Sequence, residues 1–256
     1  MASSRYKSVA EMDAEQRKLV VQDIFSSFHR TYDLANRVLS LRRDLAWRRA
    51  ALRHMRLGRG ARILDVATGT ADLAIMAARA FPDLRVEGID FAEPMLELGR
   101  AKVSRRGLED RIALSLADAL DIPFPDASFD LSAIAFGMRN IPSMGAALRE
   151  MARVTAPGGQ VMVLEMSAEL ARPFRAPYLF YLRKVLPGLG KLVAGDDAAY
   201  VYLAESIQRH PSPAVFAATM AEAGLVRIEI HRLTWGAAYL HIGFVPEGKA
   251  GGHGAR

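Results

Sequence analysis

The chain contains no cysteine among its 256 residues. That absence excludes disulfides, a thiolate nucleophile and a cysteine-ligated zinc site, and it leaves the redox compartment undetermined. Long hydrophobic runs are also missing, because the longest stretch without Lys, Arg, Asp or Glu covers residues 233–246 and is too short to span a bilayer. Residues 1–18 are charged throughout and lack the apolar core of a secretory signal. We therefore expect a cytoplasmic protein, with any membrane contact limited to a peripheral one at the inner face.

Acidic residues are scarce in residues 1–60, where 13 lysines and arginines accompany 6 aspartates and glutamates. The formal net charge of the whole chain is +6, so the remainder is close to neutral. Solvated helices are the common explanation of such a charge run. A basic face for anionic lipid is the second interpretation, with Arg48, Arg49 and Arg53 on one short predicted helix. Nucleic acid is not expected as a partner, because no RNA-binding motif or aromatic platform accompanies the arginines.

A strand, a turn of small residues and a helix follow one another in residues 62–73. The apolar run Ile63–Val66 leads into a turn containing Gly69, and a periodic apolar helix begins near Leu73. In doubly wound α/β domains such a turn presents backbone N–H groups and a helix N-terminus to a cofactor. The next predicted strand ends at Asp90, 21 residues after Gly69. An acid about 20 residues on is placed to accept hydrogen bonds from ribose hydroxyls.

This turn lacks the signatures of the common phosphate-binding loops. Neither G-x-G-x-x-G nor G-x-x-x-x-G-K-[ST] occurs there, and Asp65 and Asp72 lie close by instead of a lysine. A cationic nucleoside without phosphates suits this chemistry better than a pyrophosphate, and S-adenosylmethionine, with its sulfonium and ammonium groups, is such a ligand. The alternative is an ordinary strand–turn–helix connection with an acid at the helix start. The acid after the second strand favours the cofactor.

The rest of the chain predicts an α/β fold with a doubly wound, Rossmann-like sheet and a terminal antiparallel strand pair. Further strands are predicted at residues 85–90, 111–116, 129–136, 160–166, 225–233 and 238–245. Helices are predicted at residues 19–38, 45–55, 94–106 and 146–154. Pro157-Gly158-Gly159 predicts a tight turn before the fifth strand. The first two helices predict an N-terminal lid over the cofactor turn.

Six short motifs occur along residues 32–207. They read Tyr32-Asp33-x-x-Asn36, Leu64-Asp65-x-Ala67-x-Gly69-Thr70-x-Asp72, Pro123-Phe124-Pro125-Asp126-x-x-Phe129-Asp130, Phe136-Gly137-x-Arg139-Asn140, Pro157-Gly158-Gly159 and Tyr200-x-Tyr202-Leu203-x-Glu205-Ser206-Ile207. With them, residues 19–245 resemble the ubiquinone/menaquinone biosynthesis C-methyltransferase family of class I S-adenosylmethionine-dependent enzymes. The Gly-Thr-x-Asp and Pro-Gly-Gly pieces are shared by many class I methyltransferases. The Phe-Gly-x-Arg-Asn and Tyr-Leu-x-Glu-Ser-Ile pieces are far more particular to this family.

The resemblance implies that the site binds S-adenosylmethionine and no metal. Thr70 would lie in the methionine-binding turn, Asp90 would hold the ribose hydroxyls, and Asp118-Ala119 would contact adenine. The full set of cofactor residues predicted in this way is Asp65, Gly69, Thr70, Asp90, Phe91, Asp118 and Ala119.

The implied chemistry is carbon methylation of a hydroquinone ring, which requires aligned reactants and a stabilised phenolate. Arg139 is predicted to hold the developing oxygen charge, because a guanidinium is permanently cationic and donates several hydrogen bonds. Asn140 and Tyr32 are predicted to orient the ring or a water that takes part in proton transfer. The alternatives are that Arg139 pairs with an acid and that Tyr32 is a packed lid residue. The predicted substrate contacts are Asn36, Tyr200, Ser206 and His241.

The sequence departs from the family pattern at several positions. Thr68 and Ala71 stand where the family usually has glycine, which narrows the turn, and Asp118 stands where asparagine is frequent. Ala135 has no hydroxyl where serine often precedes Phe-Gly, so no side-chain contact is predicted there. Ile242 replaces an arginine of the common His-Arg-Gly.

The predicted function is methylation of a prenylated quinol, most simply the conversion of demethylmenaquinol to menaquinol. The 2-polyprenyl-6-methoxy-1,4-benzoquinol of ubiquinone synthesis is a second candidate substrate. A methyltransferase of secondary-metabolite aromatics and a non-catalytic cofactor-binding partner in a quinone-biosynthesis complex stay open, as does a homodimer. Within this scheme residues 1–60 form the lid, residues 61–248 the methyltransferase domain, and residues 249–256 a flexible tail. A helical insert at about 168–222 carries the apolar stretch 173–192, which is predicted to wall the prenyl tail or to be plain core.

Overall fold

A computed structural model describes residues 16, 40, 43–185, 188 and 198–247. Seven strands in this part of the chain form one sheet. They are β1 Arg62–Val66, β2 Arg85–Asp90, β3 Ile112–Leu116, β4 Phe129–Ala135, β5 Thr155–Met166, β6 Val226–Leu233 and β7 Ala238–Phe244. Their spatial order is β3-β2-β1-β4-β5-β7-β6.

Helices accompany the strands on both sides of the sheet. They are α1 Arg43–His54, α2 Asp72–Ala80, α3 Glu93–Ser104, α4 Met144–Val154, α5 Arg172–Phe180, α6 Ala198–Arg209 and α7 Pro213–Glu222. A π-helical turn, Tyr181–Val185, continues α5, and 3₁₀ turns occupy Met138–Asn140 and Thr234–Gly236. The predicted helix at residues 19–38 and the tail at 249–256 lie outside the described residues.

Strand order reverses between β1 and β4, which is where doubly wound sheets bind their ligands. The chain moves outward from β1 through β2 to β3, returns to β4 on the other side of β1, and continues to β5, with every one of these pairs parallel. β7 pairs antiparallel with both β5 and β6. The predicted doubly wound α/β sheet and its terminal antiparallel pair are therefore confirmed.

The pairing register brings the carboxyl ends of the central strands to one edge. Val66, the last residue of β1, pairs with Ile89 of β2 and with Ile134 of β4, and Asp90 pairs with Leu116. The segments that leave these four strands consequently lie side by side.

The central strands are buried on both faces, which is why their sequences are continuous apolar runs. Ile63 and Leu131 belong to an apolar layer that includes residues of α1 and α2, whereas Leu64 and Ile134 belong to a layer with residues of α4 and α7. Fully burying a side chain of this size contributes about 1.5–3 kcal/mol. The two layers fix the sheet, and through it the edge that carries the site.

The predicted tight turn at Pro157-Gly158-Gly159 is wrong, because β5 already begins at Thr155 and runs through these residues. The pairing of β4 with β5 is irregular here, and Gly158 has a φ of +76°. A Cβ on Gly159 would lie 2.6 Å from the carbonyl oxygen of Asp130. The glycines therefore allow a bulge inside a strand, where turn chemistry alone predicts a chain reversal.

Candidate active site

A cavity lies at the carboxyl ends of β1 to β4, where the strand order reverses. Its walls are the turn after β1, the residues that follow β2 and β3, the Phe136–Pro142 segment after β4, and one side of α1. Six of the seven predicted cofactor residues line it: Gly69, Thr70, Asp90, Phe91, Asp118 and Ala119.

Asp65, the seventh, lies beneath the turn. Its Oδ2 accepts hydrogen bonds from the Thr68 hydroxyl at 2.7 Å and from the Ala74 backbone N–H at 3.2 Å. Burial raises the pKa of Asp65 to about 7, while the bond from Thr68 and the charge of Arg48 act in the opposite direction. The carboxyl group thus ties the start of α2 to the end of β1.

Asp90 holds the same turn from the neighbouring strand. Its Oδ2 accepts from the backbone N–H of Gly69 at 2.8 Å, and its Oδ1 accepts from that of Ala92 at 2.9 Å. Burial raises the pKa of Asp90, and these backbone bonds oppose the shift. Each carboxylate oxygen has a second lone pair, so Asp90 can accept ribose hydroxyls while it fixes Gly69.

Asp118 and Ala119 follow β3, at the place predicted for adenine. Oδ1 of Asp118 accepts from the backbone N–H of Leu120 at 3.0 Å, and the backbone of Asp118 forms a bridge with Asp121. The loop is therefore held in shape, with the Asp118 carboxyl group on the cavity wall.

A lysine that sequence reasoning missed reaches the cofactor turn from α3. Nζ of Lys102 donates to the Thr70 hydroxyl at 2.8 Å and forms an ion pair with Asp72. The sequence near the turn lacks a lysine, but the fold supplies one from 30 residues farther along the chain. Its position on a helix facing the turn gives no local sequence signal.

α1 contributes two further residues that the sequence did not single out for the cofactor. Asp44 and Arg48 both line the cavity and form an ion pair of 3.0 Å along the helix. The Arg48 guanidinium lies over the ring of Phe136, 4.8 Å from its centroid. The sequence predicts Arg48 in a solvent-facing or lipid-facing cluster with Arg49 and Arg53. That placement of Arg48 is wrong, because the side chain points into the site, whereas Arg49 and Arg53 are exposed.

Arg139 is held by an acid, which is the alternative weighed for it from the sequence. Its Nη1 lies 2.7 Å from Oε1 of Glu165 and also donates to the Phe136 carbonyl. The Arg139 backbone N–H donates to the other oxygen of Glu165. Arg139 does not form part of the cavity wall. Its role in the reaction stays a prediction.

Asn140, the next residue, does line the cavity. Its Oδ1 accepts a hydrogen bond from the Tyr202 hydroxyl at 3.3 Å. The Tyr-x-Tyr-Leu-x-Glu-Ser-Ile motif on α6 thus reaches the site through Tyr202, whereas the sequence analysis predicts Tyr200. With Oδ1 engaged, the NH₂ group of Asn140 is the end that can donate to a ligand.

Two further predicted substrate residues, Tyr200 and Ser206, lie away from this cavity. Tyr200 packs with Leu182, Ala204 and Ile207 in a separate apolar cluster, and Ser206 donates to the Leu203 carbonyl. Tyr32 and Asn36 lie outside the described residues.

His241 is buried on β7, with Nε2 3.0 Å from the Pro213 carbonyl. Burial lowers the pKa of His241 to about 4, so the imidazole is neutral at neutral pH. The substrate roles of Tyr200, Ser206, His241 and Asn36 and the catalytic role of Tyr32 stay predictions.

A second cavity, of about 360 Å³, lies on the other side of α1. Its lining is almost wholly apolar or aromatic and includes Trp47, Met166, Leu170, Phe174, Tyr178, Tyr181, Leu182, Leu203 and Trp235. Trp47 and Arg48 are neighbours on α1 that face different cavities, and the Trp47 ring lies 6.0 Å from that of Phe136. α1 therefore separates the cavity that carries the charged groups from an almost wholly apolar one.

The charged groups of the first cavity fit S-adenosylmethionine better than a phosphorylated cofactor. Four carboxylates and one guanidinium line it in the described part of the chain: Asp44, Asp72, Asp90, Asp118 and Arg48. Carboxylates suit ribose hydroxyls, an ammonium and a sulfonium, whereas a pyrophosphate would meet like charge.

A sequence model of the ubiE/COQ5 methyltransferase family matches residues 11–245. The chain belongs to this family. It is accordingly an S-adenosylmethionine-dependent methyltransferase, and the predicted family, enzyme class and cofactor are confirmed.

Two relatives illustrate the match within the ubiE/COQ5 family. The demethylmenaquinone methyltransferase of Thermus thermophilus is 46% identical over 224 residues, which cover 87% of this chain and 100% of that protein. The ubiquinone/menaquinone biosynthesis C-methyltransferase UbiE of Geotalea daltonii is 43% identical over 224 residues, covering 87% of this chain and 95% of that one.

Solved structures extend the likeness of the fold. A putative methyltransferase of Haloferax volcanii, in complex with the Trm112 activator, superposes with a TM-score of 0.64 at 18% identity, over 89% of this chain and 98% of that chain. An S-adenosylmethionine-dependent methyltransferase of Thermotoga maritima gives a TM-score of 0.63 at 17% identity, over 87% and 98%. At such identities the likeness establishes the Rossmann-like fold alone.

Proposed function

We propose that this ubiE/COQ5 family member methylates a ring carbon of a prenylated quinol, converting demethylmenaquinol to menaquinol. The relative from Thermus thermophilus, aligned over its whole length, is a demethylmenaquinone methyltransferase. The observation that carries the substrate class is the apolar cavity next to the cofactor cavity, on the other side of α1, with its lining of aromatic and aliphatic side chains. A prenylated quinol needs such a surface for its long hydrocarbon tail while its ring approaches the cofactor.

The apolar cavity is the place we assign to the prenyl tail. Its aromatic wall comes from α5 and the π-helical turn, through Phe174, Tyr178 and Tyr181, and its floor from Met166 and Leu182. Burial raises the pKa of Tyr178 far above its usual value, so the phenol remains neutral in an apolar setting. Hydrocarbon moved from water into such a cavity gains about 0.8 kcal/mol for each CH₂ buried.

The quinol ring then lies between this cavity and the cofactor, next to Asn140. S-adenosylmethionine, when bound, would supply an electrophilic methyl group and leave as the neutral thioether. The ring carbon becomes nucleophilic as an adjacent hydroxyl gives its proton to water, and the NH₂ group of Asn140 can donate to that oxygen as its negative charge grows. The methylated ring carbon then loses its own hydrogen as a proton to water, and the oxygen is protonated again, which restores the quinol. Tyr202 holds the amide of Asn140 in orientation. Arg139 acts indirectly, as a positioning residue, because its ion pair with Glu165 fixes the Met138–Asn140 turn. Tyr32 and Asn36 remain assigned to the ring.

The reaction is tested with the purified protein, S-adenosylmethionine and short-chain quinols, with mass spectrometry of the products. We expect one added methyl group on demethylmenaquinol. Methylation of the 6-methoxy-benzoquinol at an equal rate would assign the protein to both quinone pathways. Methylation of neither quinol, by an enzyme that binds the cofactor, would remove the quinol assignment and favour an unrelated aromatic acceptor.

We also propose that the enzyme meets its lipid-soluble substrate at an anionic membrane surface. None of the helices in the described residues is long and apolar enough to cross a bilayer. The surface that supports a peripheral contact is formed by α5, its π-helical turn and the Thr234–Gly236 turn; we refer to it as the α5 face. Phe180, at 63% exposed, and Trp235, at 57%, stand out on this face, and Phe174 stacks on Trp235 with 4.6 Å between ring centroids.

Charge on the α5 face suits anionic lipid. Residues 172–185 contain Arg172, Arg175, Arg183 and Lys184 and no acid, and all four side chains are exposed. Arg175 is also 3.9 Å from the carboxylate of Glu169, and each of the other three contributes about 1 kcal/mol near an anionic bilayer. Phe174 and Trp235 also line the apolar cavity. A tail leaving the bilayer at the α5 face would therefore enter the cavity directly.

A further inference from the structure

Arg48 is the one cation on the wall of the cofactor cavity within the part of the chain that the structure describes. The other charged groups of that wall are the carboxylates of Asp44, Asp72, Asp90 and Asp118. Lys102 approaches the same turn, but its ammonium is bonded to Thr70 and Asp72 and does not form part of the wall.

The Arg48 guanidinium is held on two sides and has more N–H donors than its ion pair with Asp44 uses. Nη1 is paired with Oδ2 of Asp44 at 3.0 Å, and the plane of the group is packed over Phe136. Oδ1 of Asp44 accepts in turn from the Ser40 hydroxyl at 2.8 Å. Nε of Arg48 is buried and has no hydrogen-bond partner among the described residues. Because a guanidinium carries five N–H donors, one ion pair leaves the group able to bind a second anion.

The cofactor has one anionic group. The ammonium, the sulfonium and the ribose hydroxyls of S-adenosylmethionine all suit carboxylates, but the carboxylate of its amino-acid end would be repelled by four of the five charged groups of this wall. We propose that Arg48 recognises this carboxylate and that Asp44 positions the guanidinium for it. The inference rests on the cofactor assignment of the family and not on the quinol, so it can be tested without any quinol.

The test compares two ligands that differ in the carboxylate alone. Isothermal titration calorimetry measures the affinity of the wild-type protein for S-adenosylmethionine and for decarboxylated S-adenosylmethionine, which keeps the ammonium and the sulfonium. We expect the complete cofactor to bind about 10- to 100-fold more tightly, the range for hydrogen bonds to a charged group. Arg48→Gln should weaken binding of S-adenosylmethionine by about that factor and leave binding of the decarboxylated ligand unchanged.

Arg49→Gln is the matched control, because Arg49 is exposed on the same helix and its loss should change neither affinity. Equal affinities of the wild-type protein for the two ligands would overturn the proposal. So would an equal loss for both ligands in Arg48→Gln, since that pattern indicates damage to α1. Should Arg48→Gln fail to fold, the wild-type preference and its partial retention in Arg48→Lys decide the question.

Discussion

Nη1 of Arg139 lies 2.7 Å from Oε1 of Glu165, with the two side chains 7% and 2% exposed. Glu165 also accepts from the backbone N–H groups of Arg139 and Met166, so the pair ties the turn after β4 to the end of β5. Breaking such a pair by removing one partner costs about 3–5 kcal/mol, because the other charge stays buried. The arginine predicted as an oxyanion partner is thus first of all a part of the framework that presents Asn140.

Arg139→Lys keeps the charge and removes the planar, multiply donating group. We expect the turnover number with a saturating short-chain quinol to fall at least about tenfold, with a much smaller change in the affinity for S-adenosylmethionine. Glu165→Gln separates the two possible roles. A parallel loss in Glu165→Gln supports positioning, whereas a loss confined to Arg139→Lys supports direct contact with the phenolate. Near-wild-type turnover in Arg139→Lys contradicts both.

Tyr202→Phe removes the donor that holds Oδ1 of Asn140. A neutral hydrogen bond contributes about 0.5–1.5 kcal/mol, so we expect a several-fold loss in kcat/KM for the quinol with little effect on cofactor binding. Tyr200→Phe is the companion variant, since Tyr200 packs in the cluster with Leu182 and Ala204. A larger kinetic loss in Tyr200→Phe than in Tyr202→Phe would return the substrate role to Tyr200.

The residues around the cofactor cavity differ in how far their positions could be predicted from the sequence. Gly69 and Asp90 were recognisable because a strand, a tight turn and an acid at the end of the next strand form a local pattern, and parallel pairing then brings them together. The sequence did not reveal that three other side chains reach the site, those of Arg48, Lys102 and Tyr202. Each comes from a separate helix, and no short-range pattern encodes which face of a helix meets the edge of the sheet. The catalytic role predicted for Arg139 stays a prediction, and its buried partner Glu165 gives no local signal, because it lies 26 residues away on β5.

Asp90→Ala should weaken the binding free energy of S-adenosylmethionine by about 1.5–3 kcal/mol, the contribution of charge-assisted hydrogen bonds. Asp90 also accepts from Gly69 and Ala92, so Asp90→Asn, which keeps an acceptor oxygen, is expected to lose less. Calorimetry on both variants measures the effect, and Glu87→Gln on the same strand is the control. Unchanged affinity in a folded Asp90→Ala protein would remove Asp90 from the cofactor site.

Asp65 should make the free energy of unfolding depend on pH. Its pKa is raised from 3.8 to about 7 in the folded protein, mainly by burial. The folded state therefore binds more protons than the unfolded state between these values, and the contribution of Asp65 is present below pH 3.8 and lost as pH rises through about 7. Asp65→Asn cannot titrate. Urea unfolding at several pH values should show wild-type stability falling relative to Asp65→Asn between pH 4 and 7, and a constant difference would contradict the shift.

The α5 face can be tested by its tryptophan. The chain has two tryptophans: Trp47 is buried at 6% exposed, and Trp235 is 57% exposed. Trp235 is held in a left-handed conformation, with φ of 54°, by a turn in which the Ala171 N–H donates to its carbonyl and Trp47 Nε1 donates to Thr234. Insertion of Trp235 into a bilayer should shift its emission to shorter wavelength when anionic vesicles are added at low salt.

Screening and substitution then distinguish this face from α1. At about 0.15 M salt the screening length is about 8 Å, so binding that depends on exposed cations should weaken as salt rises. Phe180→Ser combined with Lys184→Gln removes one aromatic and one cation that line neither cavity, and we expect vesicle binding to fall while methylation of a soluble short-chain quinol persists. Arg49→Gln with Arg53→Gln makes the equivalent change on the exposed side of α1. Loss of binding in that pair alone would move the membrane contact to α1, and a wild-type protein that ignores anionic vesicles at low salt would leave these arginines as solvated charges.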